Sequence, residues 1–365
     1  MTAQQIVMYL IGAALIYVGI KKQYEPALLI PMGFGAILVN IPMSGVINQE
    51  LANIGSVTGI IQWLYKIGIE ASEALPILLF IGIGSMIDFE PLLKRPVLFI
   101  FGLASQIGIA IAFLIALLIG FSPNNAASIG IIGAADGPTA ILVSQILKSD
   151  YIGPIAVVSY SYMSLVPIIQ PVTIRAITTK EERKMVMNDC GRKVSKTEKI
   201  IFPILATFIS GLIAPMSVSM VGFLMFGNLI KECGVLDNLS KTAKEEFSNI
   251  ITLILGLTIS FGLKAELFVR KETVVIMVIG LLAFVFDTIG GVAIAKIMNL
   301  FLRNKINPMI GAAGISAFPM SSRVVQKMAQ EELPGNVILM HATGANVAGQ
   351  IFSAIIGGYS ISLIS

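Results

Sequence analysis

Charge is scarce in this chain. Asp, Glu, Lys and Arg supply 13% of its 365 residues, about half the roughly 25% of soluble domains, which excludes a water-facing surface over most of its length. Histidine occurs once, at His341, so a multi-histidine metal site is excluded. Two cysteines, Cys190 and Cys233, are too few and too isolated for a disulfide framework or a zinc site. Small-residue cleavage signals are also missing after the first apolar run, residues 6–20. Lys21-Lys22 close it instead, and it is expected to remain as a span. The net charge of +4 resides in short loops and points to no nucleic acid partner.

What is abundant is apolar sequence: 56% hydrophobic residues, a mean hydropathy of +0.87 and 34 glycines. Backbone polar groups in lipid must be satisfied internally, so the expected fold is an all-α polytopic membrane protein of the cell membrane. Glycine in such numbers fits close helix packing and interrupted spans. The apolar runs at 6–20, 26–41, 74–87, 97–121, 152–177, 202–216, 218–230, 250–263, 273–302 and 336–364, with two broken elements, give about nine to eleven membrane elements. Residues 42–66 read as a loop with an interfacial helix around Trp63 and Tyr65. Pro167 and Pro171 interrupt the span at 152–177. The loop 178–199 holds seven cations and is the strongest cytoplasmic marker.

Gly133-Ala134-Ala135-Asp136-Gly137-Pro138-Thr139 is a polar break between apolar flanks. A carboxylate at membrane depth costs about 2.5–3.5 kcal/mol on insertion scales, so Asp136 is expected to face the protein interior and to have a task. Pro138 disfavours helix at Gly137, which places the expected break just after the acid. Interrupted backbone is tolerated in a bilayer only where it is buried in protein or lines a cavity, and transporters aim such ends at ions.

Ile132-Gly133-Ala134-Ala135 recurs as Ile310-Gly311-Ala312-Ala313, and residues 82–93 resemble 256–267 at nearly the same offset. An internal duplication follows: an N-terminal part (1–69), a first repeat (70–177) with its broken element at 124–147, a linking part (178–244), and a second repeat (245–365) with its broken element at 307–328. Inverted topology is expected for such repeats. Gly314 stands where the first repeat has Asp136, so the site has one carboxylate facing a neutral partner. The second broken element and the following His341-Ala342-Thr343-Gly344-Ala345-Asn346 supply amide, hydroxyl and main-chain oxygens. One negative charge among neutral oxygens suits Na⁺. Arg323 is suited to holding a carboxylate. His341 reads as a packed histidine, and Asp287 with Lys296 as structural polar contacts.

Three stretches, Gly133 to Thr139, Asn307-Pro308-Met309-Ile310-Gly311 and Gly344-Ala345-Asn346-Val347-Ala348-Gly349, together resemble motifs of the β subunits of sodium-pumping biotin-dependent decarboxylases. That family comprises the oxaloacetate, methylmalonyl-CoA, glutaconyl-CoA and malonate decarboxylase pumps, and the similarity runs from about residue 75 to the C terminus. The resemblance implies a subunit that decarboxylates carboxybiotin on a partner carrier, exports Na⁺ and takes up a proton from the opposite side. It implies as partners an α (carboxyltransferase) subunit, a biotin carrier subunit and a small membrane γ/δ subunit, with homo-oligomeric assembly. It also implies roles for particular residues: Asp136 as the Na⁺- and proton-linked acid, and Asn307 and Asn346 as ion-site asparagines. Gly311, Ser316 and Arg323 fall on positions of ion passage or carboxybiotin contact. Tyr162 falls near the ion path, and Asp88 on a secondary ion contact. The competing reading is a free-standing Na⁺-coupled carboxylate transporter or Na⁺/H⁺ antiporter. The discriminator is a biotin-bearing partner, since this chain lacks an Ala-Met-Lys-Met biotin acceptor.

Overall fold

The computed structural model describes residues 2–23, 25–51, 55–71, 73–187 and 192–364. Asp189 and Cys190 of the basic loop lie outside them. Among the described residues five helices are long and apolar enough to cross a membrane: Ala3–Lys22, Leu98–Ile119, Asp237–Leu263, Lys271–Phe301 and Leu339–Ile364. Two bent pairs raise the number to seven. One joins Ile60–Glu70 to Ala74–Met86 at 68°, and the other joins Ile152–Met163 to Leu165–Ile177 at 65°. The second bend falls where Pro167 removes a helical hydrogen bond and crowds the preceding turn. The expected nine to eleven elements are reached only by adding the apolar helix Pro26–Asn40 and the two broken elements, which do not cross alone.

In chain order, α1 is Ala3–Tyr17 and α2 Pro26–Asn40, followed by α3 (Ala74–Met86), α4 (Glu90–Lys94), α5 (Leu98–Ala104) and α6 (Ile107–Ile119). Next come α7 (Pro123–Gly130), α8 (Gly137–Ile146) and α9 (Ile152–Ile177). After them come α10 (Lys196–Ile213) and α11 (Val218–Glu232). The chain closes with α12 (Ser248–Ile259), α13 (Ala265–Phe268), α14 (Lys271–Phe301), α15 (Met309–Ala312), α16 (Met320–Glu332) and α17 (Leu339–Ile364). One succession occurs twice: a span, a short helix, a long span, a broken element and a closing long helix. α3 to α9 follow it, and so do α12 to α17. A small antiparallel hairpin, Gln49–Leu51 against Gly55–Val57, was not foreseen in the N-terminal part.

Polar side chains tie α10 and α11 to α3 and α4. Ser85 donates to the Gly227 carbonyl at 3.0 Å, and Asn228 and Lys231 donate to the carbonyl of Ile87, just past the end of α3, at 3.0 and 2.8 Å. Glu90 pairs with Lys94 at 2.8 Å and with Lys199 of α10. Hydrogen bonds from Lys199 and Lys94 hold its carboxyl down at about 2. The basic loop is pinned as well: Arg183 pairs with Glu332 at 2.6 Å and Glu182 with Lys296 at 3.0 Å. Lys296 and Asp287 therefore serve separate contacts. Asp287 is fully buried and accepts the Gly108 N–H at 2.5 Å, capping α6 where the span breaks after Ala104.

Candidate functional site

The first broken element runs from α7 through a short 3₁₀ turn, Ile131–Ala134, to α8. Its break lies one residue earlier than expected. Ala135 takes a left-handed conformation (φ 52°) and Asp136 is extended at the N-cap of α8, so Pro138 sits inside the first helical turn. Proline is well suited there, because the first turn needs no backbone donor and its φ is already helical. The second broken element parallels it. α15 ends at Ala312, and non-helical residues lead to α16.

The two breaks touch. The Ser316 N–H donates to the Ala134 carbonyl at 3.1 Å, joining the elements directly backbone to backbone. α17 runs alongside and presents Asn346, Gln350 and Ser353 on one face, at the i, i+4, i+7 spacing of a helix. Asn346 Nδ2 donates to the Ile315 carbonyl at 2.6 Å, and Gln350 Nε2 donates to the Ser316 carbonyl. Ser316 Oγ in turn donates to the Gly349 carbonyl at 2.9 Å. The second break is thus fastened to α17 by amide donors, which leaves the amide oxygens to spare.

Asp136 stands at this junction, 3% exposed. Its Oδ2 accepts from Thr139 Oγ1 at 2.5 Å and from Ser353 Oγ at 3.2 Å. It lines a cavity of about 200 Å³ together with Tyr160, Ser316, Gln350, Asn249 and Glu25, among others. Tyr160 lies against the break, since a Cβ on Gly137 would stand 2.2 Å from the Tyr160 ring. Only glycine allows that approach. Three buried side-chain atoms at this junction have no hydrogen-bond partner among the described residues: Tyr160 Oη and Gln350 Oε1 on cavity-lining residues, and Asn346 Oδ1 on a residue outside the lining. Buried polar groups are rarely left so. An oxygen-rich, acidic enclosure with spare lone pairs is what a monovalent cation in transit requires.

The other residues singled out from sequence lie elsewhere. Asn307 is fully buried, but its Nδ2 donates to the carbonyls of Arg183 and Met185 at 3.0 and 2.9 Å, and its Oδ1 accepts the Met309 N–H at 3.0 Å. It ties the basic loop to the start of α15 and is not among the cavity-lining residues. Asp88 accepts the Glu90 N–H at 2.9 Å near the start of α4. Tyr162 donates to the Met277 carbonyl of α14, while its neighbour Tyr160 faces the cavity. Gly311 is a close-packing position: a Cβ there would stand 1.9 Å from the Gly291 carbonyl oxygen. Its own carbonyl accepts Ser105 Oγ at 3.0 Å. Arg323 is exposed in the first turn of α16, and His341 is buried. Sequence reasoning missed Tyr160, Ser353 and Glu25. The α17 spacing pointed to Ser353, whereas no local pattern marks Glu25.

Residues 4–364 match the family model described as Na⁺-transporting oxaloacetate decarboxylase beta subunit. A methylmalonyl-CoA decarboxylase subunit beta from Propionigenium modestum is 44% identical, covering 98% of this chain and 94% of that protein. A glutaconyl-CoA decarboxylase subunit beta from Acidaminococcus fermentans is 43% identical over 98% of this chain and 92% of that protein. A probable oxaloacetate decarboxylase beta chain from Vibrio cholerae is 41% identical over 98% and 95%.

Proposed function

Because the chain belongs to the family of Na⁺-transporting oxaloacetate decarboxylase beta subunits, we propose that its Asp136 cavity is where decarboxylation and Na⁺ movement meet. The chain is a multi-pass membrane subunit of a decarboxylase sodium pump and works with partner subunits. In our reading those partners are an α carboxyltransferase subunit, a biotin carrier and a small membrane γ/δ subunit, in a complex that also repeats this chain. The two repeats, 70–177 and 245–365, lie with opposite orientation in the membrane. One observation carries the proposal: Asp136 is held at the contact of two broken elements, in a cavity with unpartnered oxygens.

N-carboxybiotin, supplied by a partner, loses CO₂ as its N–C bond breaks and the electron pair returned to the ureido nitrogen takes a proton. Asp136 is the group that holds that proton and, once ionised, Na⁺ in its place. Thr139 and Ser353 orient its carboxylate. Asn346, Gln350 and Tyr160 offer neutral oxygens, and Ser316 fixes the second break against the first. Arg323, exposed in the first turn of α16, is the residue that meets the substrate carboxylate, because a guanidinium can bind it through two parallel hydrogen bonds. Asn307, Asp88 and Gly311 support the site through the loops and helices they hold.

Asn346→Ala tests the ligand set. It removes one spare oxygen and the bond to the Ile315 carbonyl. The Na⁺ concentration for half-activation of carboxybiotin decarboxylation should rise roughly five- to 150-fold, corresponding to about 1–3 kcal/mol for one buried polar contact. An unchanged Na⁺ dependence in the assembled complex moves the ion away from α17.

A further inference from the structure

The Asp136 cavity has a second carboxylate. Glu25, the residue before α2, lines the same space, although the two acids are far apart in sequence. Among the lining residues these two alone carry formal charge. Leu28, Leu79, Ile83 and Met163 form apolar wall around them, where a charge is felt more strongly than in water. The volume of about 200 Å³ leaves room for several waters around a monovalent cation. Tyr160 Oη and Gln350 Oε1 line it as well, each on a side chain 3% exposed and each without a hydrogen-bond partner.

Asp136 is deep within the helices, whereas Glu25 belongs to the connection between α1 and α2. Arg323, exposed on α16, acts electrostatically on Glu25. Burial pushes the Glu25 carboxyl above the ordinary carboxylate value and Arg323 draws it back. Glu25 is partly exposed and Asp136 3% exposed, so one acid is at the outer end of the cavity and the other at its inner end.

We propose that Glu25 is the outer cation acceptor of the cavity, holding Na⁺ in transit between its outer end and Asp136. This rests on the reading of Asp136 as the ion-site acid. Glu25 touches neither the scissile bond nor the proton; it positions the ion.

The test uses the assembled complex in proteoliposomes, with Na⁺ itself as the probe. Glu25→Gln should raise the Na⁺ concentration for half-activation about three- to thirty-fold, as expected for losing one partly screened charge near a cation. That rise should exceed any fall in the rate at saturating Na⁺. Glu25→Asp should recover most of the affinity, because it returns the charge. A disrupted structure would instead lower the saturated rate in both variants. Glu25→Cys adds an independent arm. Modification with a negatively charged thiosulfonate reagent should bring the Na⁺ affinity back, and a positively charged reagent should lower it further. Equal Na⁺ affinity in wild type and Glu25→Gln, or equal responses to the two reagents, overturns the proposal. Asp136→Asn run in parallel keeps the two ideas apart, since normal turnover there would overturn the parent reading while leaving the Glu25 result interpretable.

Discussion

Asp136→Asn is expected to abolish Na⁺-dependent decarboxylation of carboxybiotin, with a fall in turnover of roughly 100-fold or more, the lower range for loss of a proton-transfer group. The amide has the shape of the carboxylate and can still accept from Thr139 and Ser353. It can neither bear the charge that holds Na⁺ nor exchange a proton. Stability should move the other way. Asp136 is 3% exposed and without a cationic partner at hydrogen-bonding distance among the described residues, so neutralising it relieves the cost of burying a charge. The melting temperature of the detergent-solubilised complex should therefore stay level or rise while CO₂ release and ²²Na⁺ uptake disappear. Na⁺-stimulated turnover at the wild-type level would remove Asp136 from the mechanism. A fall in melting temperature alongside lost activity would instead mark it as a structural polar contact.

The second large effect is steric. Gly311→Ala should destabilise the subunit by about 1–3 kcal/mol, the usual cost of forcing a methyl into packed interior, and should reduce Na⁺ uptake with it. The new Cβ would stand 1.9 Å from the Gly291 carbonyl oxygen, a backbone atom that no rotamer change can move. Gly291→Ala meets the Gly311 carbonyl at 2.1 Å and should act alike. Since either methyl parts the same two backbones, the double variant should cost less than the two singles together. Gly222→Ala is the control: its nearest neighbour is a Thr207 methyl at 3.5 Å, and alanine is the better helix former. Wild-type melting and uptake in Gly311→Ala would show that α14 and α15 separate without consequence for the site.

Much of the architecture was legible because lipid restricts the choices. Long apolar runs had to be helices, and the polar interruptions at 133–139 and 307–317 had to be buried, which is where they lie. The proline bend in α9 was legible for the same kind of reason: Pro167 removes a donor wherever it stands in a helix. The exact break was not. Pro138 is as compatible with the first turn of a new helix as with the end of an old one, and only the left-handed Ala135 decides between them.

Facing was harder to read than location. Asn307 and Asn346 look alike as buried amides beside a break, yet one spends both polar ends on loop backbone and the other keeps an oxygen free. Tyr160 and Tyr162 are two residues apart on α9, and that spacing turns them toward different neighbours. Glu25 was invisible because its partner in the cavity is on another element, and no periodicity links them. The strand pair Gln49–Leu51 and Gly55–Val57 escaped because three-residue strands leave too short an alternation to notice.

The bond from the Ser316 N–H to the Ala134 carbonyl also bears on how the protein is made. Its two ends are 182 residues apart in the chain. At the usual pace of synthesis, about 5–20 residues per second, the first broken element emerges on the order of 10–40 s before its partner exists. For that interval its interrupted backbone is in or beside a membrane that offers no hydrogen bonds. Water, lipid headgroups or the insertion machinery must serve as stand-ins until the second half arrives and displaces them. A nascent chain halted before residue 316 should accordingly keep residues 131–137 open to solvent exchange and to proteases, and release from the arrest should close them.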